Sequence, residues 1–259
     1  FRAVAMVEQT PRILQGNAPA VAMGSLDQFT VRSTGDAVTR LEALYRTGTP
    51  DAIHGAGAEM FDAVKMLKSA NPQQYQPRNG ANYPTTQFGN RLRQVAQLIK
   101  SNVGLEIAFA DIGGWDTHAS QLDNTTPING THATLLDQVS QGVEAFYKAT
   151  IELGVANQVT TFTASDFGRT FRSNGDGSDH GWGSHHFVVG GAVNGAEVYG
   201  QMPEFILGGN DDTGRGRWIP STSVDQYAAT LAKWFGVSAT DLPVVLPNIG
   251  RFDKPDLGF

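Results

Sequence analysis

The chain has 259 residues, a formal charge of −6 and no cysteine. Its length fills one large domain or two small ones, and a pI near 5.5 with no basic arm argues against a nucleic-acid partner. Without cysteine there is no disulfide, thiol nucleophile or thiolate zinc site. The longest apolar runs, such as Phe187 to Val189, fall far short of the roughly 18 residues that span a bilayer.

From the N-terminus, Arg2 to Met6 reads as the interior of a strand, and a start at Phe1 predicts a processed or truncated product. Three amphipathic helices follow. Their apolar faces are Val38, Leu41, Leu44 and Tyr45; Met60, Phe61, Val64 and Leu67; and Leu92, Val95, Ala96 and Ile99. The stretch Asn71 to Thr86, rich in Asn, Gln, Pro and Tyr, reads as a surface excursion. Leu105 to Ala110 predicts a strand ending at Gly113-Gly114. A long helix is expected over about Thr131 to Leu153, with Leu135, Val139, Val143, Phe146 and Ile151 on one face. Val159 to Thr163 predicts a strand running into Asp166-Phe167-Gly168-Arg169. Ser173 to Ser184 reads as a polar, glycine-rich loop, and His186 to Gly190 as a further strand. A last helix opens at Ser223, where Gln226 completes a capping box, and presents Tyr227, Leu231, Trp234 and Phe235. Strand, helix and strand in this order predict an α/β layer fold with a largely parallel sheet. Ligands bind beyond the carboxyl ends of such strands, which is where Asp116 and Asp166 fall.

Three constellations could carry chemistry. In Gly113-Gly114-Trp115-Asp116-Thr117-His118, an extended backbone projects Asp116 and His118 to one side, within reach of a common ion. The same residues also fit a turn-capping aspartate and an exposed histidine. In Ser165-Asp166-Phe167-Gly168-Arg169-Thr170, Asp166 could bind a metal and Arg169 could clamp an ester oxyanion. An Asp–Arg pair that only holds the loop fits equally. In Ser178 to His186, three of the six histidines fall together, and Asp179-His180-Gly181 is a compact ligand pair. Of the adjacent His185 and His186, at most one faces such a site; His186 is the candidate, and a strand-edge histidine is the alternative. His54 and His132 read as solvated, and Asp211-Asp212-Thr213-Gly214 reads as a turn. Neither a Gly-x-Ser-x-Gly elbow nor a phosphate-binding lysine loop is present.

Taken together, these stretches closely resemble the DUF1501 family, a bacterial group within the alkaline phosphatase/sulfatase superfamily. The resemblance continues through Phe187 to Gly191, Ile219 to Tyr227 and Leu257-Gly258-Phe259, and is densest from residue 104 onwards. It implies one alkaline phosphatase-like domain over 1–259, a three-layer α/β/α sandwich with a helical excursion at about 36–101. It also implies a metal-dependent hydrolase of phosphate or sulfate esters. Asp116 and His118 would serve one ion, with Asp166, Asp179 and His180 completing the ligands. Zinc is the first choice, with manganese, calcium or iron also compatible with such donors. Members of the family are commonly exported, often by a twin-arginine signal, so a periplasmic or secreted location is expected. They also usually carry a longer N-terminal portion, where the superfamily keeps its nucleophilic Ser or Thr. The expectation is therefore a fragment of a longer precursor, with the remaining segment as a separate chain in one version. The alternative reading is a catalytically inactive, exported binding or assembly module that retains the fold.

Overall fold

The computed structural model describes residues 2–18, 20–27, 35–47, 52–70, 75–123, 126 and 128–259. The chain is mixed α/β and divides into two compact units, Phe1–Gly113 with Leu136–Gly154, and Gly114–Leu135 with Val155–Phe259.

The first unit is organised around apolar burial. Strands β1 (Ala3–Ala5) and β2 (Ala20–Ala22) pair in parallel, with Ala3 opposite Ala20. After helices α1 (Asp36–Arg46), α2 (Ala52–Ala70) and α3 (Gln87–Lys100), strand β3 (Ile107–Phe109) pairs in parallel on the other edge of β1. The sheet order is β2-β1-β3. Val4, Ala5 and Met6 are fully buried, as expected for a central strand covered on both faces. Helix α3 starts at Thr86, whose hydroxyl accepts the Gly89 N–H at 3.1 Å, and it buries Leu92, Val95, Ala96 and Leu98. Helix α4 (Thr131–Glu152) places Gly142 so near α3 that a Cβ there would lie 2.9 Å from the Phe88 ring, and it buries Ala145, Phe146 and Ala149. Buried Gln94 is tied down by its Oε1, which accepts the Leu26 N–H at 2.6 Å.

The predicted helices and the strands at 3–5 and 107–109 are present, but two details differ. Helix α1 buries none of its residues and leaves Leu44 exposed, because it meets α2 through Tyr45 against Phe61 and through Glu42, which binds both Arg46 and Lys65. The polar stretch before α3 is not wholly a surface excursion either: Tyr75 is 1% exposed. Residues 71–74 lie outside the described residues.

The second unit contains two antiparallel pairs. Strand β4 (Thr160–Phe162) pairs with β7 (Val188–Gly190), and β5 (Gly168–Ser173) pairs with β6 (Ser178–Gly181). Parallel pairing is thus confined to β1, β2 and β3 among the described residues. The predicted loop over 173–184 contains, between irregular stretches, the second strand of a hairpin at Ser178–Gly181, and the reason is local. Asn174-Gly175-Asp176-Gly177 is turn chemistry that lets the chain reverse at once, and so close a reversal can only be antiparallel. Helix α5 (Val224–Phe235) carries the predicted capping box from Ser223 and Gln226 and ends at Gly236 in the left-handed region, φ 107°. Its buried positions are Ala229 and Thr230, while Trp234 and Phe235 stay exposed. The small Ala229 lets Leu242, in α6 (Leu242–Val245), and Ile249 close over it. Among the described residues, no helix is long and apolar enough to cross a membrane.

Candidate metal centre

The site lies within the second unit and begins with the β5–β6 hairpin. The register sets Arg169 directly opposite His180. Cross-strand partners in an antiparallel pair point to the same face, so a guanidinium and an imidazole are presented together. Two glycines make this pairing possible. A Cβ at Gly181 would lie 2.8 Å from the Arg169 carbonyl oxygen, and one at Gly168 would lie 2.1 Å from that of Gly183. At the turn, Asn174 Oδ1 accepts the Gly177 N–H at 2.8 Å.

The loop 114–121 is laced onto this hairpin. Ser178 N–H donates to the Thr117 carbonyl at 3.3 Å, and Gln121 N–H donates to the Asp176 carbonyl at 3.2 Å. Gln121 Oε1 accepts both the Thr117 hydroxyl at 2.9 Å and the Ser178 hydroxyl at 2.5 Å. Gly177 closes the seam, since a Cβ there would sit 2.2 Å from the Thr117 carbonyl oxygen. With Thr117 buried, its neighbours Asp116 and His118 are turned outward toward the hairpin face.

The outcome is a convergence on one oxygen. Asp116 Oδ1 lies 2.6 Å from His180 Nε2, 3.0 Å from His118 Nε2 and 3.0 Å from Arg169 Nη1. The ligand atoms of Asp116, His118 and His180 all fall within 4.8 Å of one another, and the three side chains are exposed. The His118 and His180 rings lie 4.9 Å apart, and Phe167 stacks on His180 at 4.7 Å. Hydrogen bonding from His180, then from Arg169, holds the Asp116 carboxyl below its usual value. Arg169 itself is nearly covered. It donates through Nε to the Ser178 hydroxyl at 3.1 Å and through Nη2 to the Ser178 carbonyl, and it lies over the Phe167 ring.

Two imidazole nitrogens and one carboxylate oxygen at this spacing suit a divalent ion. Three protein ligands with an open remaining position are the donor count of catalytic zinc sites, and the same set also suits iron. The exposure of all three side chains leaves that open position facing solvent.

The remaining sequence candidates fall elsewhere. Asp179 faces His118 Nδ1 at 3.3 Å rather than joining the three ligand atoms, and hydrogen bonds from Asn174 first, then from His118, hold its carboxyl below the usual range. Asp166 is exposed, and no group of three or more metal-capable atoms at this spacing includes it among the described residues. His186 stands in a separate cluster, 3.2 Å from the Ser184 hydroxyl and 3.4 Å from that of Thr163, stacked against Tyr227. His132 is half-buried, where a solvated side chain was expected. It packs edge-on to Trp115, and its buried Nδ1 lacks a hydrogen-bond partner among the described residues. Burial first, and then the charge of Arg169, holds its pKa below the usual imidazole value.

Four participants have no counterpart among the sequence candidates: Gln121, Asn174, Arg215 and Arg217. The last two sit in Gly214-Arg215-Gly216-Arg217, where arginines between glycines mark a charged loop tip. Arg215 Nη1 reaches Asp179 Oδ2 at 2.6 Å, and Arg217 Nε donates to the His180 carbonyl at 3.1 Å.

Fold and site thus define a mixed α/β protein with an exposed His/His/Asp cluster flanked by arginines. The chain belongs to the family described as protein of unknown function (DUF1501), whose model matches residues 6–240. No curated protein and no solved structure matches it.

Proposed function

We propose that the chain is a metal-dependent hydrolase of phosphate or sulfate esters. The observation that carries this reading is the meeting of Asp116, His118 and His180 within 4.8 Å, with Arg169 on the same carboxylate oxygen. A divalent ion held there, zinc in the first instance, supplies Lewis-acid polarisation of a phosphoryl or sulfuryl oxygen. Asp116, His118 and His180 hold it. Arg169 offers planar, permanently charged donors to the anionic oxygens of the ester, where charge builds up in the transition state. Phe167 stacks on the His180 ring and limits its movement.

The parallel β2-β1-β3 sheet with its helices supports a finer reading as part of an alkaline phosphatase-like three-layer α/β/α sandwich. A periplasmic or secreted bacterial setting goes with that reading.

The test is turnover of an aryl phosphate and an aryl sulfate by the full chain with added Zn²⁺, Mn²⁺, Ca²⁺ or Fe²⁺. Hydrolysis that requires the metal and disappears in His180→Ala is the expected result. Arg169→Ala should lower turnover by roughly 10²–10³-fold, the usual cost of losing one donor to a developing oxyanion. Metal binding without turnover of either ester would favour an inactive binding module instead, and a chain that binds no metal would overturn the hydrolase reading.

A further inference from the structure

Resting on the metal reading above, we infer that Asp179, Asn174 and Arg215 form an outer tier that aims His118 at the ion, and that the loop carrying Arg215 is shaped for this task. His118 Nε2 faces Asp116 Oδ1 at 3.0 Å while its Nδ1 faces Asp179 Oδ1 at 3.3 Å. An imidazole that donates Nδ1–H to a carboxylate keeps its Nε2 lone pair free for a metal, and its ring is held in the plane that the carboxylate sets.

Asp179 is placed to be that carboxylate and not a ligand, because it lies outside the group in which Asp116, His118 and His180 converge, and both of its oxygens are held on other partners. Asn174 Nδ2 donates to Oδ1 at 3.2 Å, and Arg215 Nη1 binds Oδ2 at 2.6 Å. Its backbone N–H is fixed as well, donating to the Thr170 hydroxyl at 3.0 Å. The amide of Asn174 also donates to the His118 carbonyl at 2.9 Å, so one side chain pins both members of the His118–Asp179 pair.

The backbone around Arg215 points the same way. Arg215 has φ 63°, in the left-handed region that a side chain of its size adopts rarely. Such outliers persist where the surroundings over-determine them, and they gather at functional sites. The surroundings here are explicit. The Asp212 carboxylate accepts the N–H groups of Gly208, Gly214 and Gly216 at 2.9, 2.7 and 2.8 Å, and the Arg215 carbonyl accepts the Arg172 N–H at 3.2 Å. Glycine would hold this turn at lower cost, yet the strained position carries the side chain that reaches Asp179.

Arg215→Gly therefore separates positioning from stability. The test is the Zn²⁺ dissociation constant of the full chain, measured by competition with a chromophoric chelator, together with the melting temperature of the zinc-free protein. Arg215→Gly and Asp179→Asn should each weaken Zn²⁺ binding roughly 10–100-fold, the range for loss of an outer partner of a metal-bound histidine. The zinc-free melting temperature of Arg215→Gly should be unchanged or higher. Co²⁺ loaded in place of zinc should show an altered d–d spectrum in both variants. Wild-type affinity in both variants overturns this inference while leaving the metal reading intact. Wild-type chain that binds no Zn²⁺, or His118→Ala that binds it as well as wild type, overturns the metal reading and this inference with it.

Discussion

The two units of the chain are held together by different physics. In the first, order comes from taking apolar side chains out of water: Leu98, Ala96 and Phe146 from helices, and Val4 and Met6 from the β1 segment, are all at most 5% exposed. Such burial contributes about 25 cal/mol per Å² and needs no particular direction. In the second unit, the region around the site is mostly polar and exposed, and its shape comes from directional contacts. Gln121 gathers two hydroxyls, Asn174 gathers the hairpin turn and His118, and glycines let carbonyls approach where a Cβ would collide. The apolar unit tolerates changes at its surface but not in its volume. The polar unit tolerates changes in volume only where no backbone oxygen stands in the way.

Substitutions chosen from each unit test that contrast. The largest effect is expected for Leu98→Ala, which empties a fully buried position and should cost about 2–5 kcal/mol. Calorimetry should show the lower melting temperature, and the folded fraction should still bind zinc. Gly177→Ala comes next. Its new methyl meets the Thr117 carbonyl oxygen, which is backbone and cannot swing away, so a cost of about 1–3 kcal/mol is expected. Here zinc affinity should fall too, because Thr117 lies between two ligands; zinc binding equal to wild type would break the proposed link between hairpin and site. Ser223→Ala should cost about 1 kcal/mol through loss of the α5 cap, lowering the melting temperature by roughly 2–4 °C without touching zinc affinity.

The smallest effect concerns pH. The Asp212 carboxyl is held below its usual value by the backbone N–H of Gly208, and further by those of Gly214, Gly216 and Arg217. A carboxyl with a lowered folded-state pKa contributes stability that is fully present above the unfolded value of about 3.9 and is lost as pH falls through the folded one. The amide resonances of Gly208, Gly214 and Gly216 should therefore shift together in an NMR titration, with a midpoint below about 3.9. A shared midpoint at or above that value would remove Asp212 as the brace of this loop.

The same contrast explains what was legible in the sequence. Helices α3, α4 and α5 announce themselves through apolar spacing and, at Ser223, through a capping box, because burial leaves a period in the chain. The β5–β6 hairpin leaves no such period. Among its strand residues only Gly168, Arg169, Thr170, Ser178, Asp179 and Gly181 are buried or half-buried, and none of them is apolar, so it reads as loop, and its signal is the Asn-Gly and Asp-Gly pair at the turn. At the site, residue type was enough to single out Asp116, His118, Asp179, His180 and Arg169. Which of their atoms converge depends on register and rotamer, and that placed Asp179 behind His118 instead of beside it. Arg215 was invisible because its role arises from a loop distant in sequence from its partner. His132 looked solvated because nothing local reveals that Trp115 packs edge-on against it.

The central claim is that Asp116, His118 and His180 hold a divalent ion with Asp179 outside its shell. An anomalous difference map at the zinc edge, from crystals of the chain grown with Zn²⁺, tests it most directly. One peak is expected, bounded by Asp116 Oδ1, His118 Nε2 and His180 Nε2 at about 2.0–2.2 Å, with Asp179 bonded to His118 Nδ1 and not to the ion. A peak ligated by Asp179, or no peak within reach of these three side chains, would contradict it.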